Sequence, residues 1–306
     1  MRDPKTLQNV ASHDYLVTEE EYQYLEERVK QALRQRLIVR KIFADLYTKP
    51  LGIGVEEYAY DKETDVGVAE VAYEFKHFSK DLPTVTRGTI QIPILAKMFE
   101  IPRRALEASR RLGRPLNTRA ANSAAYRVAY LENSIVINGW SSDGSNYDIN
   151  GFYQAANNDY STSKDFGTAG NAKTAVAGAI ALLNADGIYG PYTLLLHPTQ
   201  FAELAASVIS GVGREIDIVK ALLAAEDEGG ARGGPARLGK IYSCPYLTDG
   251  TGLLIGNAPD IAEVVLGEDI QVDVWEKKPV GTEGIVYEAV VPVIYQTDAF
   301  CKLSSI

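Results

Sequence analysis

The stretch from Asn117 to Gly139, NTRAANSAAYRVAYLENSIVING, constrains this chain more than any other. Ala120, Ala121, Ala124, Ala125 and Ala129 place small side chains on successive turns. Tyr126, Val128, Tyr130, Leu131, Ile135 and Val136 add bulk around them. This spacing predicts one long helix whose small residues let a neighbouring element approach closely. Asn117 or Thr118 can cap its start, because each offers a side-chain acceptor to free N–H groups, and Gly139 can end it. A helix of about 20 residues spans roughly 30 Å, the width of a small domain. It can serve as a spine for elements on both sides.

Before the spine, residues 1–17 read as an irregular arm. Thr18 and Glu21 form a capping box, which opens a helix expected to run to about Arg40. Tyr22, Leu25, Val29, Ala32 and Leu33 mark its apolar face. Val66–Phe75 and Thr84–Ile94 favour strand through their β-branched and aromatic residues. Asp65, Glu70, Arg87 and Gln91 make them poor core strands, so they are expected as a long two-stranded ribbon leaving the body. Such a ribbon is marginal alone, and a neighbouring subunit is the obvious support. Ile94–Leu112 is predicted helical with interruptions, Pro102 fitting a helix start. Arg103, Arg104, Arg110, Arg111 and Arg114 form a basic cluster, expected as a solvated or intersubunit helix face.

After the spine, residues 140–167 are rich in Gly, Ser, Asn and Asp and read as loop. Helices are expected at Thr168–Leu183, from His197 to about Ile209, and at Glu215–Ala225. Short strands are expected at Thr193–Leu196, Lys240–Cys244, Gly252–Ile255 and Ala262–Leu266. This is a mixed α/β unit carrying a loop at 226–239. Ile270–Trp275, Glu283–Tyr295 and Ala299–Leu303 then read as strands returning to the first domain.

Chemistry is sparse. His13, His77 and His197 have no His or Cys at ligand spacing, and no local cluster of zinc ligands occurs. Walker A, dinucleotide and G-x-S-x-G motifs are missing. The reading is therefore not an enzyme, with no metal and no cofactor assigned. Net charge is -9, which does not invite bulk nucleic-acid binding. Cys244 and Cys301 lie in apolar stretches and are expected as buried thiols, a disulfide being the alternative. The first thirty residues carry no signal-peptide core, and the longest apolar run cannot span a bilayer. A cytoplasmic protein with no membrane contact is expected. A projecting ribbon exposes edge hydrogen bonds and apolar area, which burial between many copies would remove.

Several stretches carry a resemblance to a known family: VTEEEYQYLEERVKQALRQRLIVRKIF at 17–43, DLPTVTRGTIQIP at 81–93, ENSIVINGW at 132–140, LNADGIYGPYTLLLHPTQFAEL at 183–204, KIYSCPYL at 240–247, and VVLGEDIQVDVWEKK with YEAVVPVIYQTDAFCKL near the end. In their order and spacing the chain resembles the encapsulins, nanocompartment shell proteins related to tailed-virus major capsid proteins. The resemblance implies an α+β HK97-type capsid fold. Its parts would be an N-terminal arm and helix (1–55), an extended ribbon loop (56–93), a peripheral domain with the spine (94–140), an axial domain (141–257) and return strands (258–306). It implies an icosahedral shell of about 60 or more copies, enclosing cargo enzymes that carry a short targeting peptide and serving iron storage or oxidative-stress defence. It places that peptide on Tyr22, Leu25, Val29, Val272 and Val293. It places Gly211, Gly213, Arg214 and Glu215 at a five-fold pore, with Arg214 or Glu215 facing ions. It places Val68, Tyr73, Phe75, Arg87 and Ile90 on the intersubunit ribbon. Some relatives hold flavin, for which Tyr58, Tyr60 and Trp140 are available aromatics without an assignment. A viral or proviral capsid protein, with nucleic acid as partner, and a soluble enzyme binding a small molecule are the alternatives.

Overall fold

A computed structural model describes residues 17–52, 54–63, 71, 73, 80, 82, 84–112, 117–144, 146–161, 163–224, 240–256, 261–277 and 281–306. Helix α1, Glu19–Arg36, starts at the expected capping box: Thr18 Oγ1 accepts from Glu21 N at 3.3 Å, and Glu21 Oε2 accepts from Thr18 N at 3.0 Å. It buries Leu25, Val29, Ala32 and Leu33. The helix stops before Arg40, and a separate short helix α2 covers Ile38–Ile42. The break has an identifiable cause in the spine. Asn133 Oδ1 accepts the Val39 N–H at 3.0 Å, and its Nδ2 donates to Arg36 O at 2.9 Å. A buried amide thus takes two backbone groups that a continuous helix would have paired internally.

Strands β1 (Glu57–Glu63) and β2 (Val85–Gln91) pair antiparallel from Glu57↔Gln91 to Glu63↔Val85. The ribbon therefore forms, with its first described strand earlier than Val66–Phe75, most of which lies outside the described residues. The next segment corrects the sequence reading. Ile94–Pro102 is strand β3, not helix, and only Arg103–Arg111 is helical (α3). Leu95, Phe99 and Ile101 are buried while Ile94, Ala96, Met98 and Glu100 are exposed. That alternation of two is a strand signal.

The spine is helix α4, Arg119–Asn138. Asn117 Oδ1 accepts from Arg119 N at 3.2 Å, while Thr118 makes no side-chain cap. Gly139 ends it at φ 79°, and a Cβ there would meet Ile149 O at 2.3 Å, so glycine is required. α4 packs against α1, β3 and the later strand β11. Its buried alanines permit that approach.

The remaining elements are α5 (Phe152–Ala155), β4 (Asn158–Ser161), α6 (Asn171–Ala185), β5 (Tyr192–Leu196), α7 (Pro198–Ala206), β6 (Val208–Ile209), β7 (Gly213–Arg214), α8 (Glu215–Ala224), β8 (Lys240–Ser243), β9 (Thr251–Gly256), β10 (Ala262–Lys277), β11 (Gly281–Ile294) and β12 (Phe300–Ser304). The helix from His197 stops at Ala206, and Val208–Ile209 folds instead into a small hairpin with Gly213–Arg214. Ala262–Leu266 and Ile270–Trp275, expected as separate strands, are one strand interrupted by register shifts around Glu268. The loop at 226–239 lies outside the described residues.

β10, β11 and β3 form one antiparallel sheet in that order, beneath α1 and α4. A five-stranded sheet runs β4-β12-β9-β5-β8. The last strand thus joins this second sheet and not the return hairpin, which corrects the expectation for Ala299–Leu303. The reason is two-sided burial. Phe300, Leu195, Leu253 and Ile255 face the core shared with the spine, whereas Cys301, Leu303, Leu194, Leu196 and Leu254 face a second core under α6, α7 and α8. The sheet is the partition between the two cores. Cys244 and Cys301 are buried free thiols, as expected.

Candidate assembly surface

The ribbon is anchored at its base. Tyr58, Tyr60 and Ile90 are half-buried and packed against the first core. Tyr58 Oη and Tyr295 Oη both donate to Glu263 Oε2, at 3.1 and 2.8 Å. Tyr60 meets the Tyr295 ring edge-on at 6.0 Å. Gly88, opposite Tyr60, leaves room for that ring, since a Cβ would lie 2.8 Å from it. Burial, then the Glu263 carboxylate, raises the Tyr295 pKa, so both hydroxyls stay donors at neutral pH. Farther out, Arg87 pairs with Asp61 at 2.8 and 2.9 Å. Both are exposed, and such pairs add little stability in water.

Beyond these contacts, apolar side chains face solvent. Val71, Tyr73, Leu82 and Val85 lie along the ribbon segment, and Ile94 and Met98 continue onto the outer strand β3. Tyr73 is fully exposed, while Val68 and Phe75 lie outside the described residues. Among the described residues β1 and β2 pair only with each other. An apolar, edge-bearing surface of this kind is what an interface covers.

The β6–β7 hairpin is a second projecting feature. Gly211 and Gly213 adopt φ 78° and 132°, and Val208, Val212 and Arg214 are exposed. Glu215 does not face outward. Its side chain is fully buried, with Oε2 accepting from Gly170 N at 3.0 Å and Ser207 Oγ at 2.6 Å, and Oε1 from Lys173 N at 2.9 Å. Burial alone would raise its pKa, but the bonds from Ser207, Gly170, Lys173 and Ala172 hold it below the usual carboxyl value. The reason is the start of α6, whose free N–H groups attract a carboxylate.

Four of the five residues expected to hold the cargo peptide lie inside the chain. Leu25, Val29, Val272 and Val293 are buried in the first core. Of the five only Tyr22 reaches the surface, and its Oη donates to Val272 O at 2.6 Å. The amphipathic face of α1 is consumed by packing on the body. Beside it, burial and then a hydrogen bond to Asp273 push Tyr287 up to about 12. Part of the basic cluster is likewise spent within the chain: Arg110 pairs with Glu21 at 2.9 and 2.6 Å, and Arg103 with Glu107 at 2.9 Å. Of the aromatics noted for flavin, Tyr58 and Tyr60 are engaged with Glu263 and Tyr295, whereas the Trp140 side chain is exposed and only its backbone bridges to Ile149.

Sequence reasoning missed the most demanding polar groups. Arg40, Glu132 and Glu288 meet inside the first core. Glu132 falls four residues after Val128 on the buried stripe of the spine, and that position was the available signal. Among the described residues no group of three or more His, Cys, Asp or Glu could hold a metal ion, and no helix is long and apolar enough to cross a membrane.

A self-paired ribbon, a spine helix on a three-stranded sheet and a five-stranded α/β unit define an α+β capsid-type shell subunit. The fold is similar to that of the virus-like particle from Pyrococcus furiosus (TM-score 0.61, 17% identity, 91% of this chain and 98% of that one). It is also similar to the capsid of Myoviridae phage XM1 (TM-score 0.63, 12% identity, 87% and 92%). Over residues 9–290 the chain matches the family model Linocin_M18, described as encapsulating protein for peroxidase, and it belongs to that encapsulin family. It is 26% identical over 285 residues to the type 1 encapsulin shell protein EncA of Myxococcus xanthus, covering 93% of this chain and 92% of that protein.

Proposed function

We propose that this chain assembles from about 60 or more copies into a closed icosahedral compartment in the cytoplasm, enclosing a cargo enzyme bound through a short targeting peptide. The observation that carries the reading is the ribbon. It is paired only with itself among the described residues, and it continues into β3 with Val85, Ile94 and Met98 exposed. Family membership supports the same reading, and the family's description makes a peroxidase the first cargo to look for. Iron storage or defence against oxidants would follow from the cargo. The shell itself performs no chemistry in this account. The rim around Tyr22, with Asp273 and Tyr287 nearby, is the accessible part of the expected cargo region. Arg214 and the glycine tip at 211–213 are the part of the expected pore loop that faces outward.

At 33.4 kDa per chain, such a shell has a mass on the order of 2 MDa. Size-exclusion chromatography and electron microscopy of the purified protein test the assembly. A closed particle containing a co-purifying enzyme supports the proposal. Single chains at working concentration would refute it, and a particle filled with nucleic acid would favour the viral alternative.

A further inference from the structure

Two carboxyl side chains lie wholly inside the first core. Glu132 of α4 and Glu288 of β11 have no exposed side-chain surface. One cation serves both. Arg40 Nε donates to Glu132 Oε1 at 2.7 Å, Nη2 to Glu288 Oε2 at 2.7 Å, and Nη1 to the more exposed Asp269 Oδ1 at 2.8 Å. Tyr47 Oη donates to the same Glu132 Oε1 at 2.9 Å, and its ring lies 5.5 Å from the Arg40 guanidinium. The second oxygen of each carboxyl group, Glu132 Oε2 and Glu288 Oε1, is buried with no hydrogen-bond donor among the described residues. The charged and titratable groups facing the pair are Arg40 and Tyr47 from the N-terminal segment and Asp269 from β10, with Lys30 of α1 acting on Asp269. β3 places the uncharged Leu95 opposite Glu288. One guanidinium shared among three carboxyl groups does not offset two adjacent buried negative charges.

We propose that Glu132 and Glu288 share a single proton through the two oxygens that otherwise lack donors, and that this carboxyl–carboxylate pair latches the 38–47 segment to the spine helix. Glu288 donates, Glu132 accepts, and every oxygen of the pair then has a partner. Burial first, and the neighbouring Glu132 second, push the Glu288 pKa well above the ordinary carboxyl value, while Arg40 opposes them. The unfolded chain releases this proton near pH ~4.3, and the folded chain keeps it to higher pH. The stability it contributes is complete below the unfolded value and is lost as pH rises toward the folded one. Across that window the unfolding constant rises about tenfold per pH unit for the one proton. The latch is a property of the subunit and stands apart from the shell reading.

Guanidinium unfolding of the full-length protein from about pH 5 to about pH 9 tests this, beside Glu288→Gln and Glu132→Gln. A glutamine supplies permanently the donor that the shared proton supplies. Both variants are expected to fold and to lose the pH-dependent component, so that the wild type falls behind them by up to about tenfold per pH unit. Infrared spectra should show a buried protonated-carboxyl band in the wild type that is absent from Glu288→Gln. Parallel pH profiles of wild type and Glu288→Gln, a wild-type spectrum without the band, or a Glu288→Gln chain that fails to fold would each overturn the proposal.

Discussion

Ser207 and Glu215 close the neck of the β6–β7 hairpin from both directions. Ser207 Oγ donates to Glu215 Oε2 at 2.6 Å, and Glu215 N donates back to Ser207 O at 3.1 Å. The same carboxylate accepts two N–H groups at the start of α6. A projecting tip with two positive-φ glycines is thereby tied to the second core by one side chain.

Glu215→Ala should destabilise the protein by about 3 kcal/mol, because buried donors lose a charged acceptor. Chemical denaturation measures this. The folded pKa of Glu215 is lowered, so its contribution is present above the unfolded carboxyl value and lost as pH falls through the folded one. Glu215→Gln should flatten the acid limb of the stability profile. An acid limb identical to that of the wild type would show that the carboxylate charge is unimportant there.

Asn133 accepts from Val39 N, and the two N–H of its Nδ2 are shared among Arg36 O, Ala129 O and Tyr246 Oη. Asn133→Leu should cost about 2–4 kcal/mol, since it leaves buried backbone groups without partners. Hydrogen exchange should show the loss first at Val39, and unchanged protection there would contradict the account of the helix break.

Leu25→Asp should prevent folding, not merely weaken cargo capture. The side chain is fully buried, and an unpaired charge placed there costs more than about 4 kcal/mol. Tyr22→Phe removes only one hydrogen bond, about 1 kcal/mol. It is the better variant for measuring cargo-to-shell stoichiometry. Soluble, cooperatively unfolding Leu25→Asp protein would refute the first expectation.

Ile94→Asp combined with Met98→Asp should leave the subunit fold within about 1 kcal/mol of the wild type, because both side chains are exposed in the single chain. Closed particles should nonetheless be lost. Particle imaging beside circular dichroism separates the two effects, and intact shells from the double variant would remove β3 from the assembly surface.

The spine, the capping box and the ribbon were legible because each rests on local chemistry. Alanine spacing from Ala120 to Ala129, the Thr18–Glu21 pair and the β-branched run at Val85–Ile90 act within a few residues of themselves. The burial of Leu25 and Val29 within the chain was not legible, for a related reason. An apolar stripe such as Leu25 and Val29 announces that something will cover it, but not whether the cover is a cargo peptide or the chain's own sheet.

What the sequence determined by itself is the set of elements whose hydrogen bonds and periodicity are satisfied locally, together with the family pattern spread along the chain. Tertiary structure alone decided three things. Asn133 breaks the first helix at Leu37, β12 crosses to the second sheet, and Glu132 and Glu288 are brought to one arginine from positions distant in sequence. Each depends on a partner that no local window contains. The free energy of a buried polar group or a two-faced strand is set by what folds against it.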